Sequence, residues 1–174
     1  MVRVTHPHRL VLLRHAKAEH SASLEDHLRP LALTGRRQAS EVGTGMGAAG
    51  LVPDLVLVSS ALRTRQTWDL VRAGLGVPAD VARLSDELYA AGVRSLIGLL
   101  REVEEQAATV LVVGHEPTVS QTAAALAGPG SDDAATARVR VGVPTATYSV
   151  LEVDGAWADL VPDAARLVRV VSPA

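Results

Sequence analysis

Three short apolar runs constrain this chain more than any other feature: Leu10-Val11-Leu12-Leu13, Leu55-Val56-Leu57-Val58 and Val110-Leu111-Val112-Val113. Each lacks the apolar-polar alternation of a half-exposed strand, and each leads into polar residues and then a stretch of helical periodicity. Strands that are apolar on both faces belong to parallel sheets covered by helices. Strands alternating with helices through Leu126, followed by a β-rich tail, predict an α/β fold. Its expected form is a three-layer α/β/α sandwich, with a mostly parallel central sheet and late antiparallel additions.

Periodicity predicts helices over about 36–46, 63–73, 93–105 and 118–126, with Thr34 as N-cap of the first. A short strand is expected over 81–84 and another over 147–153, turned at Asp154-Gly155, and the text reads as strand-like from Thr136 onward. Glu19 to Arg29 reads as an exposed loop, and Gly128 to Asp133 as a loop too short to link domains. With 174 residues, 48% of them hydrophobic, the chain suits one domain over 1–174, with 1–9 a surface or disordered lead.

A net charge of -2 gives no electrostatic reason to expect nucleic acid, and 2% aromatics leave no base-stacking platform. The absence of cysteine removes disulfides, thiolate catalysis and Cys-ligated zinc. Met1 to Arg9 has no apolar signal-peptide core, and no apolar stretch approaches the ~20 residues that span a bilayer. The expectation is a cytoplasmic protein without a membrane partner. Lys17 is the only lysine beside sixteen arginines, a bias that fits a GC-rich genome.

The strand ends carry the chemistry. Arg14-His15-Ala16 follows the first run, Ser59 to Thr67 follows the second with Arg63 inside it, and Gly114-His115 follows the third. Ligands of open α/β folds bind at the carboxyl edge of the sheet, where all three segments are expected. Together they resemble the marks of the histidine phosphatase (phosphoglycerate-mutase-like) superfamily: Arg-His-Gly, Ser-x-x-x-Arg-x-x-Gln-Thr and Gly-His, in that order. Gly35, Gln38 and Ala39 match a further block, in which Ala32 stands where the family usually has threonine. The length and the wording of residues 14–19 are most similar to the small SixA-type phosphohistidine phosphatases.

The resemblance implies a phosphoglycerate-mutase-like fold and a metal-independent phosphatase with no cofactor. His15 is the implied nucleophile, attacking phosphorus through Nε2 to give a phosphohistidine that water hydrolyses. Arg14 and Arg63 supply permanently charged forks for phosphate oxygens and disfavour protonation of His15. His115 binds the same oxygens as charge redistributes. Glu87 is the best positional match for a proton donor, with Asp86 the runner-up. Ala16 replaces the usual glycine, a change that matters only if the backbone there needs positive φ. Ser59 and Thr64 are read as helix caps ahead of phosphate ligands.

Two alternatives concern function. One is a pocket for small phosphomonoesters in place of phosphohistidine in a protein; the other is a regulatory module that binds phosphate without turnover. A metal site on His20, Asp26 and His27 is weaker, because that segment is exposed and irregularly spaced, and a metallohydrolase using His15, His20 and His115 is the third reading. The expected partner is a phosphorylated protein or a small phosphorylated metabolite. His6 and His8 are expected at the surface or in disorder, and Arg65 on a solvated helix face.

Overall fold

Alternation along the buried strands decides which layer each side chain joins. The computed structural model describes residues 6–174. Its strands are β1 (His8–Arg14), β2 (Leu55–Ser59), β3 (Ala82–Ser85), β4 (Thr109–Gly114), β5 (Tyr148–Val153) and β6 (Ala165–Val171). The helices are α1 (Leu33–Ala48), α2 (Leu62–Leu75), α3 (Asp86–Ala90), α4 (Val93–Arg101), α5 (Thr118–Leu126) and α6 (Asp133–Val141). The sheet order is β3-β2-β4-β1-β5-β6. β3, β2, β4 and β1 run parallel to one another, whereas β5 runs antiparallel to both β1 and β6.

Val11, Leu13, Val56, Val58, Leu111 and Val113 pack on one face with Ala39, Val42 and Met46 of α1 and Trp68 and Val71 of α2. Leu10, Leu12, Val110 and Val112 pack on the other face with Leu96 and Leu100 of α4, Val119 and Leu126 of α5, and Val139 of α6. Both faces of the central strands are therefore dry, as their unbroken apolar runs require. Each fully buried Leu or Val contributes ~1.5–3 kcal/mol, so these layers hold the strand ends rigidly. The helices α1 and α2 meet at Gly43, where an added Cβ would lie 2.6 Å from the Val71 carbonyl oxygen.

The predicted α/β/α layering is present, and helix 118–126 has its expected bounds. The segment from Thr136 is a correction: it is helical within α6, and the next strand begins at Tyr148. Val139 and Val141 between arginines imitate strand alternation, but Asp132 caps the helix by accepting from Ala135 N at 2.8 Å. Only Ala135 and Val139, four apart, are buried, and Val141 is 88% exposed. Thr34 is not the cap of α1 either. Ala32 holds that position, with its N–H bonded to the Lys17 carbonyl at 2.9 Å, so a tertiary contact starts the helix.

Within the 1–9 lead, residues 1–5 lie outside the described residues. His8 is neither loose nor disordered: it opens β1 and stacks on Trp157 with ring centroids 4.7 Å apart. Among the described residues no helix is long and apolar enough to cross a membrane.

Candidate active site

The parallel register sets Arg14 opposite Gly114, so the residues that follow, His15 and His115, leave adjacent strands at the same edge. His15 N–H donates to the Gly114 carbonyl at 3.0 Å, and the two imidazole centroids are 5.4 Å apart. The turn after β1 is bonded at every step. Ala146 N–H donates to the His15 carbonyl (3.1 Å), Ala16 N–H to Thr67 Oγ1 (3.0 Å) and Lys17 N–H to Gln38 Oε1 (3.0 Å). Gly35 packs so closely beneath this turn that a Cβ there would collide with the Lys17 carbonyl oxygen. Among the described residues, positive φ at non-glycine positions is confined to Ala146 and Asp163, so alanine suits position 16.

His15 is 8% exposed, and its Nδ1 lies 2.7 Å from the Ala16 carbonyl oxygen. A carbonyl only accepts, so Nδ1 carries the proton and Nε2 carries the free lone pair. Burial lowers the His15 pKa to about 4; the Ala16 carbonyl opposes the shift, and Arg63, Arg14 and Arg29 add to it. His115 is lowered to about 3, first by burial and then by Arg63. Its Nε2 lies 2.7 Å from Ser59 Oγ, and its buried Nδ1 has no partner among the described residues.

The arginines are held by carbonyls and a carboxylate. Arg14 Nη1 donates to the Val143 carbonyl (2.9 Å), in the connection between α6 and β5. Burial lowers the Arg14 pKa, and Glu116 partly offsets this. Arg63, near the start of α2 and 6% exposed, donates from Nη1 to the Asp26 carbonyl (2.8 Å) and from Nη2 to Asp26 Oδ2 (3.0 Å). The Nε atoms of both arginines are buried without a hydrogen-bond partner among the described residues. Unsatisfied buried donors are costly, and an oxyanion in the cavity is the kind of group that would satisfy them.

Arg14, His15, Arg63 and His115 line one cavity of about 600 Å³. The structure thus brings four of the five sequence-predicted site residues together. Glu87, the fifth, is exposed in the first turn of α3, does not line this cavity and makes no side-chain hydrogen bond or ion pair with the described residues. Asp86 lines a separate pocket with His27, Ser60, Arg65 and Leu84. Among the described residues, Glu116 is the one carboxyl lining the main cavity. It accepts from Ser120 N (2.8 Å), Ser120 Oγ (2.6 Å) and Val143 N (3.2 Å).

Several site residues escaped the sequence reading. Arg29 and Lys17 line the cavity, and Asp26, 54% exposed at its side chain, bridges Arg63 to Arg29. An Asp-x-x-Arg pair before Pro30 was the available signal, masked by the polar character of its surroundings. The capping expectation also needs correction. Ala61 is the N-cap of α2, Ser59 Oγ meets His115, and Thr64 Oγ1 donates to the carbonyls of Ser59 (2.7 Å) and Ala61 (2.8 Å). No group of three or more His, Asp or Glu side chains among the described residues is placed to hold a metal ion.

The sequence profile of the histidine phosphatase superfamily (branch 1) matches residues 10–90. An uncharacterized protein of Mycobacterium tuberculosis is 41% identical over 157 residues, covering 90% of this chain and 96% of its own length. Among solved structures, one from Nakamurella multipartitia, provisionally called phosphohistidine phosphatase SixA, is 38% identical with a TM-score of 0.80, covering 97% of this chain and 98% of that one. A protein histidine phosphatase SixA complexed with tungstate is 25% identical with a TM-score of 0.78, covering 95% and 97%. Sequence, topology and the converging strand ends agree, and the chain belongs to the histidine phosphatase superfamily.

Proposed function

We propose that the protein is a metal-independent phosphatase that works through a phosphohistidine on His15 and removes phosphoryl groups from phosphohistidine in a protein. The observation that carries this reading is the tautomer of His15: Nδ1–H is tied to the Ala16 carbonyl at 2.7 Å, so Nε2 is the unprotonated nitrogen in a cavity shared with Arg14, Arg63 and His115. Tungstate in the similar SixA structure is a tetrahedral oxyanion of the same shape class as phosphate.

The Nε2 lone pair attacks phosphorus in line, and the bond from phosphorus to the leaving nitrogen breaks with its electron pair staying on that nitrogen. Arg14 and Arg63 neutralise the equatorial oxygens through forks that cannot lose their charge. His115 Nδ1, buried and without a partner, is the remaining donor for those oxygens when it bears the proton. Water then attacks the phosphorus on His15; the bond from phosphorus to Nε2 breaks, inorganic phosphate leaves, and the neutral imidazole is restored.

The character of Glu116 favours a phosphoramidate over an alkyl phosphate. Its oxygens are committed as acceptors to Ser120 and Val143, so the lining offers no carboxylic acid aimed at a leaving alkoxide. A phosphorylated imidazole departs as a neutral ring once solvent protonates its distal nitrogen, and needs no such acid.

The test is a side-by-side turnover comparison of a phosphohistidine protein with a panel of small phosphoesters, combined with an alkaline quench during turnover. The expected result is preference for the phosphohistidine protein and an alkali-stable, acid-labile label on His15. Equal or better turnover of a small phosphoester moves the substrate to the small-molecule class; a cavity that binds phosphate with no label and no turnover identifies a binding module.

A further inference from the structure

Asp26 contacts two of the cavity's cations, yet it takes no part in the steps above. Its Oδ1 accepts from Arg29 Nε (3.1 Å) and Nη2 (3.0 Å). Its Oδ2 accepts from Arg63 Nη2 (3.0 Å) and the Tyr89 hydroxyl (2.6 Å), and its backbone carbonyl accepts from Arg63 Nη1 (2.8 Å). The third nitrogen of Arg29 donates to the Glu19 carbonyl at 3.0 Å. Each terminal nitrogen of Arg63 thereby commits one of its two N–H groups, which fixes the guanidinium and leaves the others for an anion. Tyr89 is fixed in turn, its ring edge-on to His27 (4.9 Å) and to His115 (5.5 Å).

A carboxylate beside an anion-binding cavity is electrostatically adverse, since it opposes the charge that must enter. The Tyr89 hydroxyl and the two arginines hold the Asp26 carboxyl well below the usual carboxylate range, so it remains ionised and has no proton to give. What it can supply is orientation. A long guanidinium side chain loses rotamer freedom on meeting its ligand, and a fork held in place beforehand has already lost it. Arg63 comes from α2 and Arg29 from the connection between β1 and α1, so one carboxylate ties together two cations from separate parts of the chain.

Building on the phosphatase reading, we propose that Asp26 is a positioning residue: it locks Arg63 and Arg29 into one preset cradle for the phosphoryl group, with Tyr89 locking Asp26, at the expense of a negative charge near the bound anion. Removing that charge while keeping the shape should loosen the cradle and strengthen the pull on a ground-state anion.

The experiment measures phosphoramidate turnover and orthophosphate inhibition of the full chain and of Asp26→Asn. The expected result is kcat lower by about tenfold, from misplaced forks, with the inhibition constant for orthophosphate lowered at least about twofold. A kcat within about twofold of the parent overturns the proposal, as does a reduced kcat with an unchanged or raised inhibition constant. Loss of folded molecules alone reduces kcat without moving that constant. If Asp26→Asn does not fold, Tyr89→Phe carries the test, because it keeps the ring and removes one donor to Asp26: kcat lower by about threefold supports the proposal, and unchanged kcat overturns it. His15→Ala separates the two levels. Turnover that survives in His15→Ala defeats the phosphohistidine on His15 that the proposed function rests on, whereas a dead His15→Ala beside a fully active Asp26→Asn defeats only the role given to Asp26.

Discussion

The cavity has two walls built on different principles. His15 and His115 leave neighbouring parallel strands, and their separation follows from backbone register. Arg63 and Arg29 come from a helix and a long connection, and side-chain bonds to the Asp26 carboxylate hold them. The imidazole wall is largely buried, and burial shifts its bases. The guanidinium wall reaches the surface through a carboxylate 54% exposed. The wall that makes and breaks bonds is therefore placed by the sheet, while the wall that holds charge is placed by a polar network that substitution can loosen without disturbing the core.

Mutations at each wall should separate these roles. His15→Ala is expected to abolish turnover, a loss of at least about 10⁴-fold, with the thermal melt retained. Substantial residual hydrolysis would mean that another group attacks phosphorus. Arg63→Ala should lower kcat/KM by about 100- to 1,000-fold and weaken vanadate inhibition with it. Unchanged inhibition would remove Arg63 from the anion's first contacts.

Acid should affect the two walls unequally. Both imidazoles are kept neutral in the fold, with His15 lowered from 6.5 to about 4 and His115 to about 3. Above pH 6.5 neither affects stability; below it the unfolded chain takes up protons that the folded one refuses. Stability should then fall as pH drops from 6.5 toward about 4, by at most about 1.4 kcal/mol per pH unit for each histidine. Urea unfolding at a series of pH values checks this, with His15→Ala expected to show a shallower decline than the parent; an identical decline would refute the depressed base. The smallest effect belongs outside both walls. Glu87→Gln should leave phosphoramidate turnover within about twofold, and a larger loss would restore this carboxyl as a proton donor.

What could be read in advance follows the same division. Uninterrupted Leu and Val runs announce buried parallel strands, and residues at strand ends have a predictable address, so Arg14, His15, Arg63 and His115 were legible as a set. Their bonding partners were not, because hydrogen bonds between side chains distant in sequence leave no periodic trace. Asp26 reads as part of an exposed loop, and Tyr89 and Glu116 stand in no pattern that marks a site. The helix at 133–141 was misread because arginines between valines mimic an alternating strand, while Asp132 directs the backbone otherwise.

The antiparallel placement of β5 has a further consequence. A strand entering against the direction of β1 begins where β1 ends, so residues 142–147 reach the reactive edge without any crossover helix. This stretch supplies the Val143 carbonyl to Arg14, the Ala146 amide to His15 and the Thr145 side chain to the cavity. Insertions or exchanges at its outward positions could redraw the rim, and with it the choice of leaving group, while the nucleophile stays anchored between β4 and β5. Diversification of substrate preference in proteins of this architecture has a ready-made location there.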